Sequence, residues 1–482
     1  MDLSKIKEFI VQEKLLNKIL NSPDEVYPLG TFKSSEEFPL GWTNNINKKL
    51  FVDYYEELNQ FEKFVFIGLG GSINLAKIAS FINPTKIYII DSLDIKKIQN
   101  LSKIIQSEKC AIVVCSKSGT TVETNILRNI LSYKNKDSVF YISDHYISDK
   151  DKEKTFITQK DIGGRFSLGT HFGILPFYLA GFSINDIVKN INLANKESKE
   201  NNIDNKAITI ASIIYKNYLL NKNILSINSI SNDDFIADWL EQLIAESLGK
   251  EESGILPIIQ NNKFSPNLNF SNDANKYDLD SINIKISYNE SLFYEFQIFF
   301  YVISILGILL KIQPFDQPNV ELTKSLTTKF LESNQSLELE EKYYSLSSFE
   351  KKFSENNDND KEKIISMLIF SSQVDKELLD NLEKLKVFCF KSQIILLVYF
   401  APTYLHSTGQ LLKGSFKNIE NFIVHLHGNE DQEIPNSLYT LNTFVKNQAI
   451  SDYMALKKYD RNVQFIQTNK IELNKKVEAI LR

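Results

Sequence analysis

One stretch of the chain gathers the residue types that bind phosphate. Cys115 to Thr124 reads Cys-Ser-Lys-Ser-Gly-Thr-Thr-Val-Glu-Thr and follows an apolar run typical of a buried strand. Its five hydroxyl side chains, with backbone N–H groups at a helix start, can bind the three oxygens of a phosphate monoester without a metal. A capping box would need only one hydroxyl. The candidate phosphate ligands are Ser116, Lys117, Ser118 and Thr121.

A second candidate turn is rich in glycine. Gly68-Leu69-Gly70-Gly71-Ser72 lies between an apolar run at 63–67 and a helical pattern at 74–82. Glycines there allow a tight turn that points free N–H groups at an anion. The spacing is not that of a complete dinucleotide fingerprint. Gly71 and Ser72 are candidate phosphate contacts, and a tight turn without a ligand stays the alternative.

Three further stretches carry polar side chains in settings that favour chemistry. Gly163-Gly164-Arg165-Phe166-Ser167 places a cation after a glycine pair, which allows close approach to a ligand. Glu246 falls in a helical pattern, Trp239 to Lys250, that is otherwise rich in core residues, so we expect its carboxylate to be shielded from water. The alternative is a surface ion pair with the lysine four residues on. The third stretch runs from Phe315 to Lys324 and includes Gln317.

In this order, these stretches resemble the signatures of the phosphoglucose isomerase family, which has the sugar isomerase (SIS) fold. The resemblance covers about Leu40 to Lys324. Further on, Tyr404 to Leu411 resembles the isomerase portion of transaldolase fusions. The resemblance implies an α/β fold with two tandem αβα-sandwich domains and parallel sheets. It also implies the reversible isomerisation of glucose 6-phosphate and fructose 6-phosphate through a cis-enediol, in glycolysis and gluconeogenesis, with no cofactor and no metal.

The resemblance also implies roles for four side chains. Glu246 is the expected base, which moves a proton between the two carbons at the carbonyl end of the sugar. Arg165 is expected to stabilise the negative charge of the enediolate. Family members open the sugar ring with a histidine and with the lysine that matches Lys324. Gln317 is expected to bond the phosphate or a sugar hydroxyl.

Ring opening is the step for which the usual residue is missing. Between Glu246 and Lys324, where many family members place the histidine, this chain has none. His406 is the best substitute because it falls in a predicted loop after the apolar run at 394–400. Glu290 is a weaker substitute.

The remaining histidines and the cysteines do not predict a metal site. His171 follows the arginine turn and could contact substrate or be packed. His425 and His427 have the spacing of a metal-binding pair on a strand, but no cluster of further ligands accompanies them. The cysteines are too few and too scattered for a disulfide framework, which fits a reducing compartment. They are Cys110, Cys115 and Cys389.

Short β-branched runs alternate with helical patterns along the chain, which predicts parallel sheets covered by helices. One series starts at Lys63 and a second near Asn223. A polar, asparagine-rich stretch at 192–206 separates them, and we place the boundary near Asn205. The predicted domains are residues 1–205, which include an N-terminal amphipathic helix, and residues 206–482.

The composition predicts an ordinary soluble protein, with 43% hydrophobic and 24% charged residues. The net charge of −5 is dispersed, which argues against a nucleic acid or a membrane surface as a partner. The N-terminus does not resemble an export signal. The apolar stretch Phe296 to Lys311 is predicted to be a core helix because it is short for a membrane span. We expect a cytoplasmic protein and, from the resemblance, a homodimer.

Three alternatives share the predicted phosphate site. A dual phosphoglucose/phosphomannose isomerase would use the same base, so only activity towards mannose 6-phosphate separates the two. A non-catalytic phosphosugar sensor would not need Glu246, Arg165 and Lys324 together, and it would usually carry a DNA-binding segment. A sugar-phosphate aminotransferase module would be expected beside a glutamine-hydrolysing domain.

Overall fold

The computed structural model describes residues 2–52, 54–133, 138–231, 234–259, 266–271, 275–333, 344–354 and 363–482. The chain starts with two short helices, α1 (Leu3–Gln12) and α2 (Leu15–Asn21). They are separated at Lys14, whose φ is +51°. Ile6 and Ile10 are buried, so the predicted amphipathic helix is divided in two and packs by its apolar face.

The first sheet has five parallel strands in the order β2-β1-β3-β4-β5. Its strands are β1 (Lys63–Gly68), β2 (Ile87–Ile90), β3 (Cys110–Cys115), β4 (Val139–Ser143) and β5 (Thr155–Ile157). Its helices are α3 (Asn74–Ile82), α4 (Ile95–Ser107), α5 (Val122–Leu131), α6 (His171–Ala180) and α7 (Ile184–Ser198). The strand order reverses between β1 and β3, which is where open α/β sheets bind ligands at the strands' carboxyl ends.

The second sheet has the order β7-β6-β8-β10-β9, with β9 as its antiparallel edge. Its strands are β6 (Ile224–Asn228), β7 (Leu256–Ile259), β8 (Asn267–Ser271), β9 (Lys276–Tyr277) and β10 (Ser281–Lys285). The helices of this part are α8 (Lys206–Leu219), α9 (Ile236–Leu248) and α10 (Ser291–Leu310). Apolar side chains of this sheet and of the first one share a single buried cluster.

The third sheet has four parallel strands in the order β12-β11-β13-β14. Its strands are β11 (Lys363–Ser371), β12 (Ile394–Phe400), β13 (Ile419–Leu426) and β14 (Val463–Thr468). The helices of this part are α11 (Glu321–Ser333), α12 (Leu346–Ser354), α13 (Lys376–Lys391), α14 (Gly409–Gly414), α15 (Leu441–Lys458) and α16 (Lys470–Leu481). A second buried cluster joins this sheet to the other face of the first one.

Helix α10 is the one described helix that is long and apolar enough to cross a membrane, and 83% of its apolar window is buried inside the protein. It packs against α7, α8 and α9. Burial on nearly all sides explains why the helix is apolar all round. The prediction of a core helix at this place is confirmed.

The predicted α/β class with parallel-sheet αβα units is confirmed. One difference is that the strands of the second half divide between two sheets. A second difference is β11, which was not predicted although residues 364–370 are largely apolar. This strand pairs with both β12 and β13. The domain boundary near Asn205, which caps the start of α8, stays a prediction.

Candidate active site

A cleft of about 740 Å³ opens at the carboxyl ends of β1 and β3, where the strand order of the first sheet reverses. Its walls also include α9, which follows β6, the loop after β12, and parts of α11 and α15. The lining therefore includes residues from each of the three parts of the chain that contain a sheet. All predicted site residues except Ser116 line it. They are Gly71, Ser72, Lys117, Ser118, Thr121, Arg165, Glu246, Gln317, Lys324 and His406.

The hydroxyl-rich turn after β3 leads directly into α5, and its conformation leaves a helix start open. Thr121 is the N-cap of α5, but its side chain makes no capping bond. Ser118 and Thr120 bond each other through their hydroxyls at 2.8 Å and face the cleft. Ser116 is buried under the turn, and its Oγ donates to Oγ1 of Thr121 at 3.2 Å. Ser116 does not line the cleft and supports the turn from below, so its predicted contact with a ligand stays a prediction.

The ammonium of Lys117 is already paired. Its Nζ lies 2.5 Å from Oδ2 of Asp144 and also donates to the carbonyl of Lys160 at 3.2 Å. Asp144 accepts a second bond from Thr158 Oγ1 at 2.6 Å. Lys117 lines the cleft, but in this conformation its charge is shared with Asp144 and not offered alone to an anion.

The glycine turn after β1 brings the walls of the cleft together. Gly70 has φ +56°, and a Cβ on it would lie 2.3 Å from the carbonyl oxygen of His406. A Cβ on Gly71 would lie 2.6 Å from the backbone nitrogen of Arg165. A larger residue at Gly70 would push away the backbone at His406, and a larger residue at Gly71 would push away the backbone at Arg165. These two glycines are thus required by close backbone approach as well as by turn geometry.

Glu246 is buried in the cleft on α9, and its side chain is held from two sides. Its Oε2 accepts a bond from Gln242 Nε2 at 2.9 Å, and its Oε1 lies 3.8 Å from Arg165 Nη1. Gln242 is fixed in turn, because its Oε1 accepts from Asn74 and its Nε2 also donates to the carbonyl of His406. The Glu246 carboxylate is shielded from water, as the helical pattern of core residues predicts. The alternative of a surface pair with Lys250 is wrong, since Lys250 points to another loop and is itself buried.

Arg165 is buried, and its guanidinium is fixed by hydrogen bonds. Its Nε donates to Ser247 Oγ at 2.7 Å, and its Nη1 donates to Gln317 Oε1 at 2.7 Å. Its Nη2 donates to the carbonyls of Pro314 and Asp316 at 2.6 and 3.0 Å. Burial lowers the pKa of Arg165, while the carboxylates of Glu246 and Asp316 act in the opposite direction. The arrangement holds a preorganised cation beside the Glu246 carboxylate.

His406 reaches the cleft from the loop after β12, where its ring meets a carboxylate. Its Nε2 lies 3.3 Å from Oε1 of Glu123, which also accepts from Gln448 Nε2 at 2.6 Å. Burial would raise the pKa of Glu123, but the charge of His406 and the hydrogen bonds to the carboxylate outweigh it and lower that pKa. Glu123 is therefore ionised at neutral pH and orients the imidazole.

Lys324 lies at the rim of the cleft on α11. Its side chain is 41% exposed, and its Nζ pairs with Oε1 of Glu321 at 2.8 Å. Glu321 is more exposed still, at 64%. A water-facing pair of this kind holds its geometry weakly.

The other candidates lie elsewhere. Glu290 is exposed at the start of α10 and does not line the cleft. His171 is buried among aromatic rings, its Nδ1 is 2.8 Å from the Tyr55 hydroxyl, and burial lowers its pKa to about 4, so it is packed. His425 is buried in β13. In the part of the chain that the structure describes, no group of three His, Cys, Asp or Glu side chains is placed to hold a metal ion.

The unpredicted cleft residues include Glu123, Gln242 and Gln448, which hold the side chains of His406 and Glu246 in place. Glu123 lies in the stretch from Cys115 to Thr124 and Gln242 in the stretch from Trp239 to Lys250, so the signal for them was their position within those motifs. No local pattern distinguishes Gln448, which lies on α15 more than 300 positions beyond its partner Glu123. Only the folded chain brings them together.

The fold is that of phosphosugar isomerases of the SIS type. A glucose-6-phosphate isomerase structure from Chlamydia trachomatis superposes with a TM-score of 0.57 over 70% of this chain and 87% of its own, at 17% identity. A hypothetical protein from Thermus thermophilus superposes with a TM-score of 0.55 over 68% of this chain and 96% of its own, at 19% identity.

Curated relatives with similar sequences are named for one particular phosphosugar isomerase activity. Proteins named glucose-6-phosphate isomerase are 28% identical over 425 residues in Mycoplasmopsis pulmonis and 31% identical over 228 residues in Methanocaldococcus jannaschii. The matches cover 68% and 43% of this chain, and 96% and 56% of the relatives' lengths. No protein-family model matches the chain. The predicted resemblance to phosphoglucose isomerases is confirmed, and the narrower one to transaldolase fusions stays a prediction.

Proposed function

We propose that this protein interconverts glucose 6-phosphate and fructose 6-phosphate. The observation that carries the proposal is the buried Glu246 carboxylate, 3.8 Å from the fixed guanidinium of Arg165, in a cleft that also holds the hydroxyl-rich turn. A carboxylate can take the proton from the carbon next to the carbonyl, and a fixed cation stabilises the charge that then develops on oxygen. The names of the curated relatives agree with this reaction.

In this mechanism Glu246 removes the proton from C2 of the aldose and returns it to C1 of the cis-enediol. Gln242 holds the carboxylate through its bond to Oε2, which leaves Oε1 facing Arg165. Arg165 faces the developing oxyanion, and because its bonds to the protein are made beforehand it needs no rearrangement at the moment of reaction. The same two groups serve the reverse reaction from the ketose.

Ring opening is assigned to His406. The substrates exist mainly as rings, so a proton must leave the anomeric hydroxyl and reach the ring oxygen. When Nε2–H donates a hydrogen bond to Glu123, the lone pair of Nδ1 accepts the proton of the anomeric hydroxyl. The imidazolium then gives that proton to the ring oxygen as the bond between C1 and the ring oxygen breaks. The negative charge of Glu123 favours the imidazolium that follows. This assignment takes the place of the missing histidine between Glu246 and Lys324.

Phosphate binding is assigned to the turn after β3 and the start of α5. Ser118, Thr120 and Thr121 line the cleft there, and the open N-terminus of α5 attracts an anion. Lys117 lines the cleft at the same turn, and it is proposed to contact the phosphate while it stays paired with Asp144. Ser72 and Gln317 face the same cleft from the glycine turn and from the segment before α11, and we propose them as contacts to sugar hydroxyls or phosphate.

Lys324 is expected to assist binding from the rim. Replacing it by methionine should raise KM roughly tenfold with little change in kcat, because an exposed charge contributes about equally to substrate and transition state. Steady-state kinetics in both directions would measure this. A loss in kcat as large as that of a His406 variant would instead show that Lys324 leaves Glu321 and takes part in ring opening, as the resemblance implies.

The function is tested by assaying chelator-treated protein for glucose 6-phosphate formed from fructose 6-phosphate. Turnover with exchange of the C2 proton is expected, and activity after chelation would support the prediction that no metal is needed. Absence of turnover and exchange together with retained sugar-phosphate binding would favour a sensor. Mannose 6-phosphate as a second substrate decides between a single and a dual isomerase.

We also propose that the protein is cytoplasmic, acts as a homodimer, and divides into units at residues 1–205 and 206–482. The resemblance and the dispersed charge support the first two proposals. The α7–α8 junction, where Asn205 caps α8, supports the third. Sedimentation of the purified protein would test the dimer.

A further inference from the structure

Two buried cations hold the segment from Gln313 to Gln317, which leads into α11. Arg165 binds the carbonyls of Pro314 and Asp316 and the side chain of Gln317. Lys250 binds the carbonyl of Gln313 at 2.5 Å and that of Asp316 at 2.5 Å. The two cations therefore share one backbone carbonyl, that of Asp316.

Lys250 also neutralises the only carboxylate of this segment. Its Nζ lies 2.7 Å from Asp316 Oδ1, and the side chains of Lys250 and Asp316 are 3% and 4% exposed. Three oxygen acceptors surround Nζ, which matches the three hydrogens of an ammonium group. An ion pair this deeply buried leaves a strong uncompensated charge if one partner is removed.

The Asp316 carboxylate is a potential competitor for Arg165. Both Glu246 and Asp316 attract the guanidinium electrostatically. With Lys250 in place, Asp316 is neutralised and Arg165 stays directed at Glu246 and Gln317. Without the ammonium, the buried Asp316 would keep one hydrogen bond, from the Thr31 N–H to Oδ2 at 2.8 Å, and its charge would draw the guanidinium away from Glu246.

We propose that Lys250 is a positioning residue: by compensating the charge of Asp316, it keeps Arg165 directed at the reacting end of the cleft. The proposal rests on the proposed function, because it gives Arg165 its role towards the enediolate. Lys250 itself does not line the cleft.

The charged groups around Lys250 come from three elements. They are Arg165 in the turn after β5, Glu246 on α9 and Asp316 in the segment before α11. Burial and the nearby Arg165 lower the pKa of Lys250 to about 7, and Asp316 and Glu246 act against this. The ion pair with Asp316 thus favours the charged form of Lys250, against burial and the charge of Arg165.

The test compares Lys250→Met, Asp316→Asn and the double variant with wild type. Lys250→Met is expected to lose about 10²-fold in kcat, as for loss of one preorganised electrostatic group, with KM changed much less. The double variant is expected to regain roughly tenfold in kcat over Lys250→Met, because no carboxylate is left to compete for Arg165. Lys222→Met, which breaks the exposed pair with Asp280 at 3.6 Å, is the matched control and should behave like wild type.

A purely structural clamp gives a different result. The double variant would then be no faster than Lys250→Met, since it lacks the same bonds to the carbonyls of Gln313 and Asp316, and this result would overturn the proposal. An effect on KM alone would also overturn it.

Thermal unfolding without substrate distinguishes failure of the proposed isomerase function from failure of the proposed role of Lys250. If wild type does not isomerise sugar phosphates, the proposed function fails, and with it the catalytic role of Arg165. The charge compensation is then judged by Tm, which should be higher for the double variant than for Lys250→Met. If wild type isomerises normally but neither kcat nor Tm recovers in the double variant, only the proposal for Lys250 fails.

Discussion

Replacing Glu246 by glutamine is expected to lower kcat about 10⁴-fold, near the upper end of what general base catalysis contributes. The amide keeps nearly the shape of the carboxylate and can still accept the bond that Gln242 makes at 2.9 Å, so the fold should be retained. It cannot take up the C2 proton. NMR in deuterated water would measure the exchange of that proton alongside turnover, and both are expected to fall together.

The matched control is Glu241→Gln, on the same helix and outside the cleft lining. Burial and the neighbouring Asp238 raise the pKa of Glu241 to about 8, so this side chain is largely neutral at pH 7 and the substitution removes little charge. Turnover of the control should stay within about twofold of wild type, as for a change away from the reacting groups. Equal losses in both variants would show that the integrity of α9 sets the rate and would remove Glu246 as the base.

Replacing His406 by alanine is expected to lower kcat on hexose phosphates by about 10² to 10³-fold. The same variant should act almost normally on an aldotetrose 4-phosphate. That substrate cannot close a five-membered ring because the hydroxyl needed for closure is esterified, so it needs no ring opening. The ratio of the two rates isolates the step that we assign to the histidine.

Two further variants sharpen this result. Glu123→Gln should lose roughly tenfold on the hexose phosphate alone, because the amide no longer stabilises the imidazolium of His406 by its charge. His427→Ala changes an exposed histidine at the end of β13 and should leave both rates as they are. A loss of equal size on the ring-forming and the open-chain substrate would contradict the role in ring opening.

Much of the fold could be predicted because parallel strands that are buried on both faces have continuous apolar runs in their sequence. β1 and β3 are of this kind, and their polar turns are visible at once in the sequence. Strand β11 is equally apolar, yet it was not predicted. It pairs with both β12 and β13, and a local pattern does not show which strands share a sheet.

For the candidate site, too, some features could be predicted from the sequence and others could not. Residue type and local spacing are enough to single out the hydroxyl-rich turn, whereas Glu246, Arg165 and His406 were assigned their roles from the resemblance that the sequence carries. Spacing did not show that Ser116 lies beneath the turn, or that Lys324 is paired at the rim. These depend on side-chain direction, which packing decides.

The sequence by itself thus determined the α/β class and indicated the candidate phosphate turn and the candidate acid–base and cationic groups, because local pattern, residue chemistry and the resemblance carry this information. Only the tertiary structure decided which groups meet. It brings His406 to Glu123, separated by 283 positions, and sets Lys250 against Asp316 and not against Glu246. The physical reason is that contacts between distant segments are selected by the packing of whole sheets and helices, for which no short stretch of sequence carries the information.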